Sequence, residues 1–197
     1  MKKSLIATGA ASLALAAMPA LGAFAAVTDT VQLTIASSCS VGGAGGSSSS
    51  TGKTITEPAA VNSHLYQYDA NGTNGGTLKV TCNNASGWQV KAVGAGEGSP
   101  NTSMKPSGSG TAIVTGTATS GDDSNWAFKI AGTTGVTVPT TYASYAAVPA
   151  TETTVATGSA AVNEGTIYTG YQVWVSATQQ ADTYTGKVTY TIVPGNS

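Results

Sequence analysis

The chain reads as an all-β protein, a two-layer antiparallel β-sandwich of Ig-like or Greek-key type that follows an N-terminal export signal. Thr, Ser, Gly and Val dominate beyond the first residues, while Leu is scarce there, a composition that favours pleated sheet. Apolar and polar residues alternate in short runs, the period of a strand with one face in a core. Gly/Asn/Asp/Ser clusters separate these runs at fairly regular spacing, and no segment keeps a helical repeat for the length of an ordinary helix.

In chain order, Met1, Lys2 and Lys3 form a basic head, residues 4–21 an Ala/Leu-rich run, and Ala23-Phe24-Ala25 an A-x-A cleavage site. That is the pattern of a bacterial secretory signal peptide over residues 1–25, leaving one domain over 26–197. Gly9, Pro19 and Gly22 break the apolar run and no basic stop-transfer flank follows it, which argues against a membrane anchor. Residues 193–197 (VPGNS) carry neither an LPxTG-type sorting motif nor a second apolar span. The expected location is secreted and extracellular, at a bacterial cell surface or cell wall, with no transmembrane anchor.

Val31, Leu33 and Ile35 alternate with Gln32 and Thr34 as a first strand running into Cys39-Ser40-Val41. Residues 42–53 are a flexible Gly/Ser loop, residues 55–68 are ambiguous because Pro58 disfavours a central strand, and residues 69–76 form a turn cluster. Leu78, Val80 and Cys82 alternate as the next strand, and residues 83–87 turn it into a hairpin with residues 88–93. Residues 94–110 read as a long surface loop, 112–119 and 126–130 as two further strands, and 136–155 as edge strands and loop.

The chain closes on a second expected hairpin. Tyr171, Val173 and Val175 share one face of its first strand, with Gln172, Trp174 and Ser176 on the other. Val188, Tyr190 and Ile192 share a face of its second strand. Tyr184 opens that strand, where its hydroxyl reaches a nearby backbone group as tyrosine corners do.

Catalysis has little raw material. His64 is the only histidine, so no His-pair metal site exists, and a Ser/His/Asp triad has only that residue to build on, with no G-x-S-x-G elbow. Asp122 and Asp123 read as a solvated turn, and Asp69, Asn71 and Asn74 as an Asx-rich turn lacking the bidentate Glu of a calcium loop. We therefore expect no catalytic residues, no metal and no cofactor. Eight Lys, nine Asp+Glu and no Arg leave the chain without the basic cluster that nucleic-acid binding needs. Two cysteines, Cys39 and Cys82, in an exported chain are expected to pair.

Residues 180–192 (QADTYTGKVTYTI) resemble the closing motif of the WxL domain, a non-covalent cell-wall-binding module of exported Gram-positive proteins, with Tyr190-Thr191-Ile192 at the W-x-L. Trp88-Gln89-Val90, after a strand and a polar turn, stands where that family's other W-x-L lies. Neither tripeptide ends in Leu, the second lacks Trp, and the cysteine pair is foreign to the family. The resemblance implies a non-enzymatic surface protein whose partner is peptidoglycan or another wall glycan. Its candidate contact residues are Trp88, Val90, Trp174, Tyr184, Tyr190 and Ile192. Of these, Trp174 faces away from Tyr171, Val173 and Val175, where an amphipathic ring is able to stack on sugar.

Residues 78–83 (LKVTCN), with the earlier Cys39 and an A-x-x-Y-x-G-x-V ending, are also similar to spore coat protein U and the archaic chaperone-assembled pilins. That resemblance implies a structural subunit whose partners are copies of itself or other surface proteins, joined by lending an N-terminal strand to a neighbour. If residues 31–35 are the first core strand, little chain remains ahead of it to donate, which ranks this reading second.

Overall fold

The computed structural model describes residues 36–43, 63–68, 70, 76–95, 101–117 and 123–195. The expected signal peptide, the stretch 31–35, residues 44–53 of the Gly/Ser loop, Asp69, Asn71, Asn74 and Asp122 lie outside them. The chain divides into two units, Met1–Ala36 and Ser37–Ser197. Of the first, only Ala36 is described; everything below concerns the second.

That unit is all-β apart from one helical turn, α1 (Thr140–Ala143). Its strands are β1 (Cys39–Gly43), β2 (His64–Tyr68), β3 (Gly76–Cys82), β4 (Trp88–Gly94), β5 (Lys105–Pro106), β6 (Val114–Thr115), β7 (Asn125–Gly132), β8 (Thr153–Gly158), β9 (Val162–Val175), β10 (Tyr184–Thr185) and β11 (Val188–Pro194). A six-stranded sheet runs β1-β3-β9-β7-β6, with β2 also on β9; a three-stranded sheet runs β11-β4-β8; β10 and β5 form a short ribbon. All pairings are antiparallel except β6–β7, which is parallel.

The fourteen-residue β9 is the spine of the larger sheet. On one side it pairs along β7, from Asn125↔Trp174 to Gly132↔Ile167. On the other it is shared end to end: β2 takes Tyr171 to Val175 and β3 takes Val162 to Thr169. At the handover Gly170 lies against the Ala70 amide and the Tyr68 carbonyl, where a Cβ would collide with backbone. Cross-strand partners share a face. Trp126 with Val173, Phe128 with Tyr171, Ile130 with Thr169 and Leu78 with Ile167 therefore form the inward side, all buried. They join one core with Trp88, Val90 and Ala92 of β4, Val155 of β8 and Val188 of β11.

Cys39 and Cys82 form a disulfide between directly opposed positions of β1 and β3, with Cα atoms 4.1 Å apart. Ser38 and Asn83 extend the same ladder through an Asn83 N–H bond to the Ser38 carbonyl. Trp126 Nε1 donates to the Thr102 carbonyl at 2.8 Å, so its indole is both buried and satisfied.

Three expected connections differ. The strands at 78–82 and 88–93 are real, yet β3 and β4 belong to different sheets, so residues 83–87 cross between sheets instead of closing a hairpin. Gly87 makes that crossing at φ +86°, with its α-carbon pressed on the Gly158 carbonyl. The closing hairpin is likewise absent: β9 lies in the six-stranded sheet and β11 pairs with β4 in the other. The strands expected at 112–119 and 126–130 meet only over Val114–Thr115, in parallel. Alternation identifies the face a strand buries, and an arch between sheets and a hairpin within one present the same alternation.

Candidate functional site

The feature with chemical potential is the outer edge of β11. Its seven residues pair with β4 in unbroken register, from Val188↔Gly94 to Pro194↔Trp88, with no bulge. Val188 is buried and Tyr190 and Ile192 are half-buried against the core, while Thr189 and Thr191 face solvent. The second backbone edge of β11 has no ladder partner among the described residues. Sheet edges are ordinarily shielded by charges, prolines, bulges or short length. Residues 188–193 (VTYTIV) hold no charge and no proline; Lys187 and Pro194 stand only at the ends.

Both ends of this strand are fastened. Downstream, Gly195 N–H donates to the Gly87 carbonyl at 2.7 Å, and Asn84 Nδ2 donates to the Gly195 carbonyl at 2.8 Å. Upstream, the Tyr184 hydroxyl donates to the Gln180 carbonyl four residues back, at 2.7 Å, and accepts Gln179 Nε2 at 2.7 Å. The expected tyrosine corner is therefore in place. Asp182 ties the same turn to the 107–108 loop, accepting from the Ser107 hydroxyl and the Gly108 and Thr183 amides. The Ser107 hydroxyl, then these amides, hold its carboxyl below the usual value despite an opposing desolvation effect. An open edge thus sits on a strand that cannot fray away from its sheet.

Beneath that edge lies a polar anomaly. The Tyr190 hydroxyl is buried without a hydrogen-bond partner. Burial, and then the neighbouring Tyr171, push its pKa well above that of an ordinary phenol, yet the two hydroxyls are not placed to bond each other. A buried donor left unpaired costs on the order of 1–3 kcal/mol.

The other expected contact residues scatter. Trp88 is 2% exposed and Val90 0%, so both are core residues and present nothing to a ligand. Burial follows from their inward phase on β4, a central strand flanked by β11 and β8. Tyr184 serves the corner, and Tyr190 and Ile192 lean on the core beside the open edge. Trp174 is half-buried on the opposite side of β9 from Val173, in the same phase as Tyr168, as its alternation implies. Cys39 and Cys82 are brought together; the six other residues form no common patch.

His64 is exposed, its ring 4.6 Å from that of Tyr66. Among the described residues no three His, Cys, Asp or Glu side chains converge as a metal site, and no helix is long and apolar enough to cross a membrane. The edge of β11 escaped the sequence reading because its partner was taken to be residues 171–175. The uncharged run 188–193 was the available signal. No protein-family model, curated protein or solved structure matches the chain.

Proposed function

We propose that the chain is an exported, non-enzymatic structural subunit of a bacterial surface fibre or layer, similar in its assembly to the spore coat protein U and archaic pilin type. The six- and three-stranded sheets act as the two layers of an Ig-like sandwich that lacks a strand beside β11. The N-terminal segment of another copy supplies it by β-augmentation. The observation that carries this reading is the long, uncharged, unbulged edge of β11, pinned at both ends.

Two further features support it. β1 begins at Cys39 and residues 36–38 are in no strand, so the alternating stretch 31–35 is not the start of β1. With signal-peptide removal near Ala25, residues 26–36 are available to donate, about twice the usual strand length. The Cys39–Cys82 bridge suits an oxidising compartment outside the cytosol.

Electron microscopy and sizing of the chain after secretion test the proposal. Fibres or ladders of oligomers are expected, and a synthetic peptide of residues 26–36 should cap their growth. A monodisperse monomer that stays monomeric at high concentration, indifferent to the peptide, would sink it.

A second reading is WxL-like non-covalent attachment to peptidoglycan. The half-exposed Trp174, in phase with Tyr168 on the face of β9 away from Val173, favours it. Retention on purified sacculi, lost on Trp174→Ala, is the expected result; retention no better than an unrelated sandwich domain removes it.

A further inference from the structure

Resting on the strand-addition reading above, we infer that one polar contact sets the register of the incoming strand: Asp29 of a second copy seats on the buried Tyr190 hydroxyl, beside Tyr171. In an extended segment Val27, Asp29, Val31, Leu33 and Ile35 share a face, and Thr28, Thr30, Gln32 and Thr34 share the other. The first set is apolar apart from Asp29, so it is the face that turns inward, and it carries one carboxylate with it. An ionised carboxylate enters a core only where donors meet it.

The wall it would face on β11 consists of Val188, Tyr190 and Ile192. Among these only Tyr190 has a side-chain donor, and that hydroxyl is buried with no partner. A phenol O–H to a carboxylate is a charge-assisted bond, stronger than one between neutral groups. Two unsatisfied groups, one on each partner, are thus answered by a single alignment.

The alternatives are disfavoured by the same chemistry. A slip of one residue turns the whole apolar set outward. A slip of two places Asp29 against Val188 or Ile192, where no side-chain donor exists, and leaves the Tyr190 hydroxyl orphaned. The selection holds for either strand direction, since both place the neighbours Val27 and Val31 beside the apolar Val188 and Ile192.

Cysteine scanning of the full chain, expressed through a secretion pathway, reads the register. Each of Val27→Cys, Asp29→Cys, Val31→Cys and Leu33→Cys is combined with Tyr190→Cys, and intermolecular ladders are followed on non-reducing gels. The Asp29→Cys pair is expected to cross-link fastest. A faster ladder from another position overturns the register while leaving strand addition standing. No ladder from any pair, with monomeric protein, overturns both.

Fibre dissociation provides the second measurement, using Asp29→Ala, Tyr190→Phe and the double variant. Each single change should speed dissociation about tenfold and the double change no more than either alone, the signature of a coupled pair. Multiplicative effects, or no effect of Asp29→Ala, would show that the two side chains do not meet.

Discussion

Replacing Gly158 by Ala tests whether Trp88 is a core residue or a surface one. Gly158 stands opposite Trp88 in the β4–β8 ladder, and the indole lies directly across it. A Cβ at 158 would overlap Cε2, Cζ2 and Nε1 of that ring. Trp88 is 2% exposed, so the ring has no solvent to swing into, and the strain must move either the indole or the β8 backbone. Over-packing at such a site costs about 1–3 kcal/mol. For a chain of this size that lowers Tm by roughly 2–4 °C per kcal/mol.

Trp88→Phe removes the overlapping atoms together with Nε1, which is buried without a partner. In the Gly158→Ala background it should therefore cost less than in the wild type, by a coupling of about 1 kcal/mol. Urea unfolding followed by circular dichroism gives all four corners of the cycle. Gly158→Ala within about 0.5 kcal/mol of wild type, or strictly additive effects, would refute the packing described here and restore Trp88-Gln89-Val90 as an accessible patch.

Asp182 has a depressed folded pKa, so its contribution is present above the usual carboxylate value of 3.8 and is lost as pH falls through the lower folded value. Asp182→Asn should flatten the acid limb of a Tm-versus-pH curve and leave neutral pH nearly unchanged; an unaltered acid limb refutes the linkage. Glu164 is exposed at φ +57°, a left-handed conformation that costs a non-glycine residue about 1–2 kcal/mol, so Glu164→Gly should raise the urea midpoint by a net ~0.5–1 kcal/mol after the glycine's own entropy loss. Tyr184→Phe removes the hydroxyl of the corner and should destabilise by about 1 kcal/mol, with amide exchange rising first around residues 179–185. Replacing both cysteines by Ala opens a link spanning 43 positions, worth up to about 4 kcal/mol on the chain-entropy argument, and exchange should rise first in β1, the short edge strand that it holds.

Side-chain phase was legible throughout. The buried faces of β3, β4 and β11 follow the alternation of Leu78/Val80/Cys82, Trp88/Val90/Ala92 and Val188/Tyr190/Ile192. The cysteine pair and the Tyr184 corner were legible too, the first from compartment chemistry and the second from position at a strand entry. Pairing was not. The five residues 83–87 allow a hairpin or an arch, and the choice falls to which sheet has a vacancy, a property of the assembled fold. The first half of β9 was missed because Gly165 and Gly170 interrupt its β-formers and its far face is also covered, Gln172 and Ala127 both being buried. With β9 mispaired to the closing strand, the exposed backbone of β11 was hidden from view.

The shared flank of β9 has a practical corollary. Tyr68 and Gly76 dock opposite Tyr171 and Thr169, two steps apart on one continuous strand. Each ladder is anchored by its own hydrogen bonds, so the chain between those anchors can change length without shifting a single pair on either side. Peptides spliced in between Tyr68 and Gly76 would be carried at a fixed pitch along any polymer this chain builds.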